Sequence, residues 1–204
     1  MDIFFIASPP LSLFLSLSLS HSFYDSNQFQ LPNPAGKAGG ACTSTLLNVL
    51  NQNNGRPMTW MELLQRMRNV LREKGYDQIP QLSSSRMLDI HAPFQIVPPA
   101  SIQKNAARRA ILIGINYVGQ QGQLSGCHND VNNIKNYLIT REGFQEKDML
   151  ILMDDGRHHQ PTKKNIEDAF RRITQYSRPD DVVFIHYSGH GSRVKDLNGT
   201  IDCK

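Results

Sequence analysis

The residues best suited to chemistry lie between His186 and Ser192, in the order His-Tyr-Ser-Gly-His-Gly-Ser. Glycines on both sides of His190 let the backbone turn sharply and leave the imidazole uncovered, which a general base requires. The same glycines leave backbone N–H groups able to point at a substrate oxygen. His186 lies within an apolar run and is better explained as a buried sheet histidine. The pattern therefore predicts acid–base chemistry at His190.

A metal site at these two histidines is not expected. Their spacing pairs ligands on a helix, whereas here it crosses from a strand into a loop. The chain contains neither His-Glu-x-x-His nor Cys-x-x-Cys, and its 3 cysteines are far apart. An odd number of distant cysteines argues against a disulfide framework and favours a reducing compartment. We therefore predict no metal ligands and no disulfide.

A second group of candidate residues follows an apolar run and includes Cys127, His128 and Asp130. Cys127 is small and is most simply explained as buried. Asp130 can cap the helical pattern that follows it. A nucleotide site would need Gly-x-Gly-x-x-Gly directly after the first strand, and residues 114–119 do not supply it.

Alternating strand and helix patterns predict where these two groups lie. Apolar runs and helical spacing predict the following order: strand 110–115, helix 130–143, strand 149–153, helix 162–178, strand 182–186. This order predicts right-handed crossovers and a three-layer α/β fold with a mostly parallel sheet. In such sheets the chemistry lies beyond the carboxyl ends of the strands, which is where both groups fall.

Residues 1–55 differ in composition from the rest of the chain. Residues 1–20 are rich in Leu and Ser, and residues 26–55 are rich in Gly, Asn and Pro. The apolar run is too short to span a bilayer, and no basic residue precedes it as in a signal peptide. We expect a low-complexity leader and disordered linker in a cytoplasmic protein, with secretion as the alternative.

Residues 56–105 begin with an amphipathic helix. Thr59 and Glu62 have the spacing of a capping box, and apolar residues recur at helical spacing from Trp60 until Gly75. The apolar face is expected to pack on the following domain, the alternative being a helix that binds a partner. The Pro- and Ser-rich remainder is expected to wrap a surface without regular structure.

The charge of the chain excludes one class of function. Its 22 Lys and Arg residues against 18 Asp and Glu give a formal charge of +4, and the basic residues occur as pairs rather than blocks. This distribution does not favour nucleic-acid binding.

Three segments carry a resemblance to a known family, namely residues 110–117, 124–131 and 184–192. Together they resemble the large-subunit portion of metacaspases, which are cysteine endopeptidases of the caspase-like clan. The resemblance covers about residues 108–204, and we assign residues 106–204 to a caspase-like catalytic domain. Residues 56–100 resemble, less specifically, a segment that precedes this domain in some metacaspases of plants and algae. The resemblance implies a three-layer caspase-like fold.

The resemblance implies a role for each site residue. His190 matches the catalytic histidine, which activates a cysteine and later protonates the leaving amine. The backbone N–H of Gly191 matches the oxyanion donor. Cys127, Asp130 and Ser188 match residues that line the pocket for the residue before the scissile bond. An acid in that pocket implies peptide or protein substrates with Arg or Lys at that position.

The family's nucleophile lies about fifty residues after the histidine, in an Asp-x-Cys-His-Ser-Gly motif that this sequence does not contain. Cys203 lacks the motif, and Cys127 is a weak substitute. We therefore expect a domain that is incomplete at its C-terminus, inactive as given, with an open sheet edge beside the third strand. The alternative is a catalytically inactive, caspase-like interaction module that binds, for example, a full-length metacaspase.

The resemblance also implies a cofactor. Metacaspases bind Ca²⁺ through an acidic loop, and residues 196–202 retain its beginning. Thr200 and Ile201 stand where acids are expected, which argues against a calcium site in this segment. We therefore predict no cofactor for this chain, with Ca²⁺ in the complete family member as the alternative.

Overall fold

The computed structural model describes residues 39–76, 78–85 and 87–191, together with the backbone of 2–8, 11–18, 30–32 and 38. For the strands within residues 2–18, the structure describes the backbone pairing alone. Cys203 and the calcium segment at 196–202 lie outside the described residues, as does most of the polar stretch between 19 and 37.

The described strands are, in chain order, β1 (Asp2–Ser8), β2 (Leu11–Ser18), β3 (Gln30–Pro32), β4 (Ala38–Gly40), β5 (Ile79–Ser84), β6 (Arg108–Gly114), β7 (Met149–Met153) and β8 (Val182–Ser188). The helices are α1 (Ala41–Asn53), α2 (Trp60–Glu73), α3 (Pro99–Gln103), α4 (Cys127–Glu142) and α5 (Lys163–Tyr176), with a short 3-10 turn at Glu146–Asp148. A six-stranded sheet in the order β5-β2-β1-β8-β6-β7 forms the centre.

The predicted strand–helix alternation is confirmed in the second half of the chain. Strand β6 lies between β7 and β8 and is parallel to both, with Ala110 paired to Met149 on one side and Phe184 on the other. Helix α4 begins at Cys127, before the expected start, so Asp130 lies in its first turn instead of capping it. Helix α5 is capped by the Thr162 hydroxyl, which accepts from the Asn165 N–H. These elements form the caspase-like α/β unit.

The two faces of β6 are covered by different helices. Ala110 and Leu112 pack into the larger core with residues of α1, α2 and α4. Ile111 and Ile113 point the other way and pack with Ala169 and Ile173 of α5. Because successive side chains of a strand alternate between faces, this arrangement requires the continuous apolar run that predicted the strand. Helices on both faces make the fold three-layered.

The first half of the chain departs from the sequence prediction. Residues 41–53, expected to be part of a disordered linker, form α1, and Cys42 and Leu46 are buried in the larger core. Helix α2 was predicted correctly and carries the expected capping box between Thr59 and Glu62. The segment after it was expected to lack regular structure but contains β5 and the short α3. The prediction of a linker is therefore wrong for α1.

The sheet edge beside β8 also differs from the prediction. Strand β1 pairs antiparallel with β8, with Ile3 opposite Tyr187, and β2 joins β1 to β5. In the described part of the chain, the edge expected to be open is therefore occupied by backbone of residues 2–8. The sheet is parallel at β6, β7 and β8 and antiparallel in the strands added from the first half. Across the described residues, no helix combines the length and hydrophobicity needed to cross a bilayer.

Candidate functional site

The site forms where β6 and β8 end side by side. The Ile115 N–H donates to the Ser188 carbonyl at 2.9 Å, which extends the parallel pairing to the last residue of β8. The chain leaves β6 into a loop at residues 115–126 and leaves β8 into the Gly189-His190-Gly191 turn. Both candidate groups of residues therefore lie at the same carboxyl edge of the sheet, as the sequence predicts.

His190 is exposed at this edge, and its ring is held from the loop after β6. The ring Nε2 lies 2.5 Å from the Gly122 carbonyl oxygen. Because a carbonyl can only accept, Nε2 carries the hydrogen and the neutral ring has its lone pair on Nδ1. The Tyr117 ring packs on the imidazole, with ring centroids 4.7 Å apart and planes inclined by 38°. With Nε2 engaged in the contact with the Gly122 carbonyl, Nδ1 is the ring nitrogen placed to accept a proton.

Gly122 fits this contact for two reasons. Its φ of +80° lies in the left-handed region that side chains disfavour. A Cβ at this position would lie 3.3 Å from His190 Nε2. Both its conformation and its closeness to the imidazole therefore favour glycine.

Asp130 and Ser188 meet below the histidine, inside the protein. The Ser188 hydroxyl donates to Asp130 Oδ2 at 2.8 Å, and the Gly40 N–H contacts Oδ1 and Oδ2 at 2.9 and 2.8 Å. Asp130 is 0% exposed. The close approach of β4 depends on Gly126, where a Cβ would lie 3.0 Å from the Gly39 Cα. The proposed pocket acid is thus covered by residues 39–40.

Cys127 begins α4 next to this cluster and is 5% exposed. Its backbone N–H donates to Asn116 Oδ1 at 3.0 Å, which joins the start of the helix to the end of β6. The sequence expectation that this cysteine is buried is therefore confirmed. Gly191 is exposed beside His190 and is the last residue described.

His186 lies inside β8 and is 0% exposed, as the sequence predicts. Its Nε2 is 3.3 Å from the Thr43 hydroxyl of α1. His186 and His190 do not converge on a common point. Among the described residues, no group of three or more His, Cys, Asp or Glu side chains is arranged to hold a metal ion.

Asp154, at the end of β7, fastens the loop that carries Tyr117. Its Oδ1 accepts from the Asn116 N–H at 2.8 Å and its Oδ2 from the Val118 N–H at 3.3 Å, while His128 Nε2 lies 2.6 Å from Oδ1. Partial burial raises the pKa of Asp154, but these hydrogen bonds outweigh it and hold the pKa below its ordinary value. The carboxylate is therefore ionised at neutral pH.

Sequence reasoning found His190 and the residues around Asp130 but missed three parts of the site. The Gly122 carbonyl is a backbone group, so the residue type at that position does not indicate that it contacts His190. Tyr117 is part of the first matching segment, yet nothing in its spacing indicates that it stacks on His190. Asp154 directly follows a predicted strand, and that position was a usable signal.

Comparisons with known proteins agree with this architecture. A family model described as "Metacaspase, peptidase C14 domain" matches residues 108–203, and one described as "Caspase domain" matches residues 14–90. The fold and these matches together define a caspase-like domain of the C14 class. Residues 108–203 are similar to the peptidase domain of metacaspases.

Individual relatives show how far the similarity extends. Metacaspase III c of Phaeodactylum tricornutum is 50% identical over 174 residues, covering 83% of this chain and 51% of that protein. Metacaspase-1 of Sclerotinia sclerotiorum is 53% identical over 94 residues, covering 45% of this chain and 22% of that protein. Metacaspase-1B of Neurospora crassa is 50% identical over 99 residues, covering 48% and 23%. The chain thus spans about half of the first relative and under a quarter of the other two.

The matches also change the extent of the family resemblance. The sequence carries a specific resemblance at about residues 108–204 and a weaker one at residues 56–100, whereas the caspase-domain model matches residues 14–90. That range includes α1 and α2, which pack into the larger core. Similarity to this class of proteins therefore includes both halves of the chain.

Proposed function

We propose that the protein acts as a cysteine endopeptidase, with His190 as general base, and cleaves peptide bonds after Arg or Lys. The observation that carries the proposal is the His190 imidazole, exposed at the strand edge with Nε2 on the Gly122 carbonyl. The match of residues 108–203 to the metacaspase family model supports the reaction class. No step of this chemistry requires a cofactor.

The reaction proceeds through an acyl-enzyme. His190 Nδ1 takes the proton of a cysteine thiol, and the thiolate attacks the scissile carbonyl carbon. The Gly191 N–H stabilises the oxyanion, and the imidazolium gives its proton to the departing amine. A water molecule, deprotonated by the same imidazole, then hydrolyses the thioester and restores the thiol. The Gly122 carbonyl stabilises the imidazolium between these steps by accepting from Nε2–H.

The cysteines of the described residues are poor nucleophiles. Cys42 is 0% and Cys127 is 5% exposed. A buried thiol is hard for a peptide to reach. The proposal therefore assigns the nucleophile of the complete protein to a cysteine other than these two, in the position where the family carries Asp-x-Cys-His-Ser-Gly.

Specificity for Arg or Lys rests on Asp130. A guanidinium or ammonium that reaches its carboxylate would form a charge-assisted hydrogen bond. In this structure the Gly40 N–H contacts both carboxylate oxygens. Substrate entry therefore requires residues 39–40 to move away from Asp130, and the Ser188 hydroxyl remains as a partner for the carboxylate.

The proposal is tested in the complete protein that carries the nucleophilic cysteine, by hydrolysis of peptide amides ending in Arg, Lys or Asp. We expect cleavage of the first two, and a loss of roughly 100-fold or more in His190→Ala, because general-base catalysis contributes about that factor. His159→Ala is the control, since His159 is an exposed histidine after β7. Cleavage that survives unchanged in His190→Ala would refute the assignment.

Asp130→Asn tests specificity separately. The substitution keeps the size of the side chain and removes the charge, so we expect the preference for Arg over Asp to fall by about tenfold or more, as for loss of a charge-assisted pair. The ratio of kcat/KM for the two peptides is the measurement. A ratio that stays the same would assign recognition of the basic residue to other groups.

Burial of Cys42 and Cys127 also favours a second candidate function, a catalytically inactive interaction module. This candidate predicts no hydrolysis but a stable complex with a full-length metacaspase. A mixture of the two proteins that elutes as separate species in size-exclusion chromatography would exclude it.

A further inference from the structure

Two tyrosine hydroxyls enclose the main chain of His190. The His190 N–H donates to the Tyr117 hydroxyl oxygen at 3.2 Å, and the Tyr187 hydroxyl donates to the His190 carbonyl at 2.9 Å. The two hydroxyl oxygens are 3.4 Å apart. Since the Tyr187 proton is used at the His190 carbonyl, Tyr117 is the donor between the hydroxyls. The three hydrogen bonds therefore point the same way around a ring, from the His190 N–H through the two hydroxyls to the His190 carbonyl.

The ionisation state of Tyr187 is consistent with this direction. Burial raises the pKa of Tyr187 well above its ordinary value. The hydroxyl therefore keeps its proton over the working pH range and donates throughout it.

The local backbone is shaped to bring the tyrosines together. Tyr117 has a φ of +54°, a conformation that non-glycine residues seldom adopt. Asp154 accepts from the N–H groups on either side of it, at Asn116 and Val118, and so holds the peptide in that conformation. On the other strand, a Cβ at Gly189 would lie 2.7 Å from the Tyr187 hydroxyl oxygen. Glycine at 189 thus leaves room for the Tyr187 ring to fold back over the turn.

We propose that Tyr117 and Tyr187 are positioning residues that fix the main chain of His190, while the Tyr117 ring fixes the tilt of its imidazole. The inference rests on the proposed function only in treating His190 as the base. Without these two tyrosines, the main chain of His190 would lose both of these hydrogen bonds, and its two glycine neighbours are the most flexible residues available. With them, the Gly122 carbonyl and the Tyr117 ring hold the imidazole, and the chain of hydroxyls holds the main chain of the same residue.

The test uses isotope-labelled full-length chain and solution NMR, and needs no turnover. The measurements are the solvent-exchange rate of the His190 amide proton and the ring nitrogen shifts of His190. Tyr117→Phe and Tyr187→Phe each remove one hydroxyl and keep the ring. Tyr137→Phe is the matched control, because the Tyr137 hydroxyl makes one hydrogen bond elsewhere, to Glu142 at 3.3 Å.

Tyr117→Phe is expected to raise the His190 amide exchange rate about fivefold, the effect of losing one hydrogen bond. Tyr187→Phe should raise it by a similar factor, and the double variant by little more than either, since one broken link opens the chain. Tyr117→Leu should in addition shift the ring nitrogens. Unchanged His190 signals in Tyr117→Phe, or an equal change in Tyr137→Phe, would overturn the inference.

Two further results separate this inference from the proposed function. The amide of Ile113 in β6, measured in the same samples, reports whether a variant keeps its fold. In a protein preparation that cleaves Arg peptides, Tyr117→Phe should lower kcat and leave KM unchanged. Altered amide exchange without any hydrolysis supports the positioning role of the two tyrosines and counts against the endopeptidase. Full hydrolysis with unaltered exchange supports the endopeptidase and counts against the positioning role.

Discussion

At the scale of single residues, the site depends on backbone groups as much as on side chains. His190 is oriented by the Gly122 carbonyl, and Asp130 is covered by the Gly40 N–H. The residues involved are glycines because the chain must approach closely. Glycine is favoured at these positions by its backbone conformation or by the short distance to neighbouring atoms, and substitution by alanine tests both.

Gly122→Ala should disturb His190, whereas Gly119→Ala should not. Both glycines have positive φ, +80° and +74°, so each substitution should cost about 1 kcal/mol of unfolding free energy. Only at Gly122 would the new Cβ meet His190 Nε2, at 3.3 Å; at Gly119 nothing lies within 4 Å. The measurements are denaturant unfolding and the ring nitrogen shifts of His190. Equal ring shifts in the two variants would contradict the assigned contact.

At the scale of elements, the site is a junction of three strand ends. The loop after β6 carries Tyr117 and Gly122, the turn after β8 carries His190, and Asp154 after β7 ties the first of these to the sheet. A carboxylate that holds two backbone N–H groups should make this junction dependent on pH.

Asp154→Asn should destabilise the protein at neutral pH and lose its effect in acid. Because the pKa of Asp154 is lowered on folding, its contribution is present above its ordinary value of 3.8 and disappears as the pH falls below it. We expect a difference of about 1 kcal/mol in unfolding free energy at pH 7, shrinking towards zero below about pH 3.8. Exposed Asp148→Asn is the control. A difference that grows on acidification would contradict the assigned hydrogen bonds.

Sequence patterns predict the strands well and the site partly. The run in β6 is buried on both faces, so hydrophobic content alone identifies it, and helix α2 begins with a capping box that is visible in the sequence. Helix α1 was missed because Gly39, Gly40 and the Asn-rich residues 51–54 look like linker composition. Its burial depends on packing against α2 and against α4, and α4 is distant in sequence. Contacts such as Gly40 with Asp130 depend on the same long-range packing and have no local signal.

At the scale of the whole molecule, the first half of the chain is part of the fold. Strand β1 pairs with β8, α1 and α2 pack into the larger core, and β4 covers Asp130. A caspase-domain match at residues 14–90 agrees with this integration. The sheet edge that carries His190 and the first half of the chain should therefore unfold together.

Leu46→Ala tests that integration. Leu46 of α1 is 4% exposed within the larger core, so its truncation should cost about 2–4 kcal/mol of unfolding free energy. Met61→Ala on α2, at a side chain that is 39% exposed, should cost under about 1 kcal/mol. Denaturant unfolding followed at Trp60 gives both values. A loss in Leu46→Ala no larger than in Met61→Ala would show that α1 does not stabilise the domain.

The central claim is that His190 is the base of a peptidase site at the ends of β6 and β8. Its most direct test is kcat/KM for an Arg-ending peptide amide in the complete protein that carries the nucleophilic cysteine and in its His190→Ala and His159→Ala variants. The account predicts a loss of roughly 100-fold or more at position 190 and no loss at position 159. Equal rates in all three proteins would contradict it.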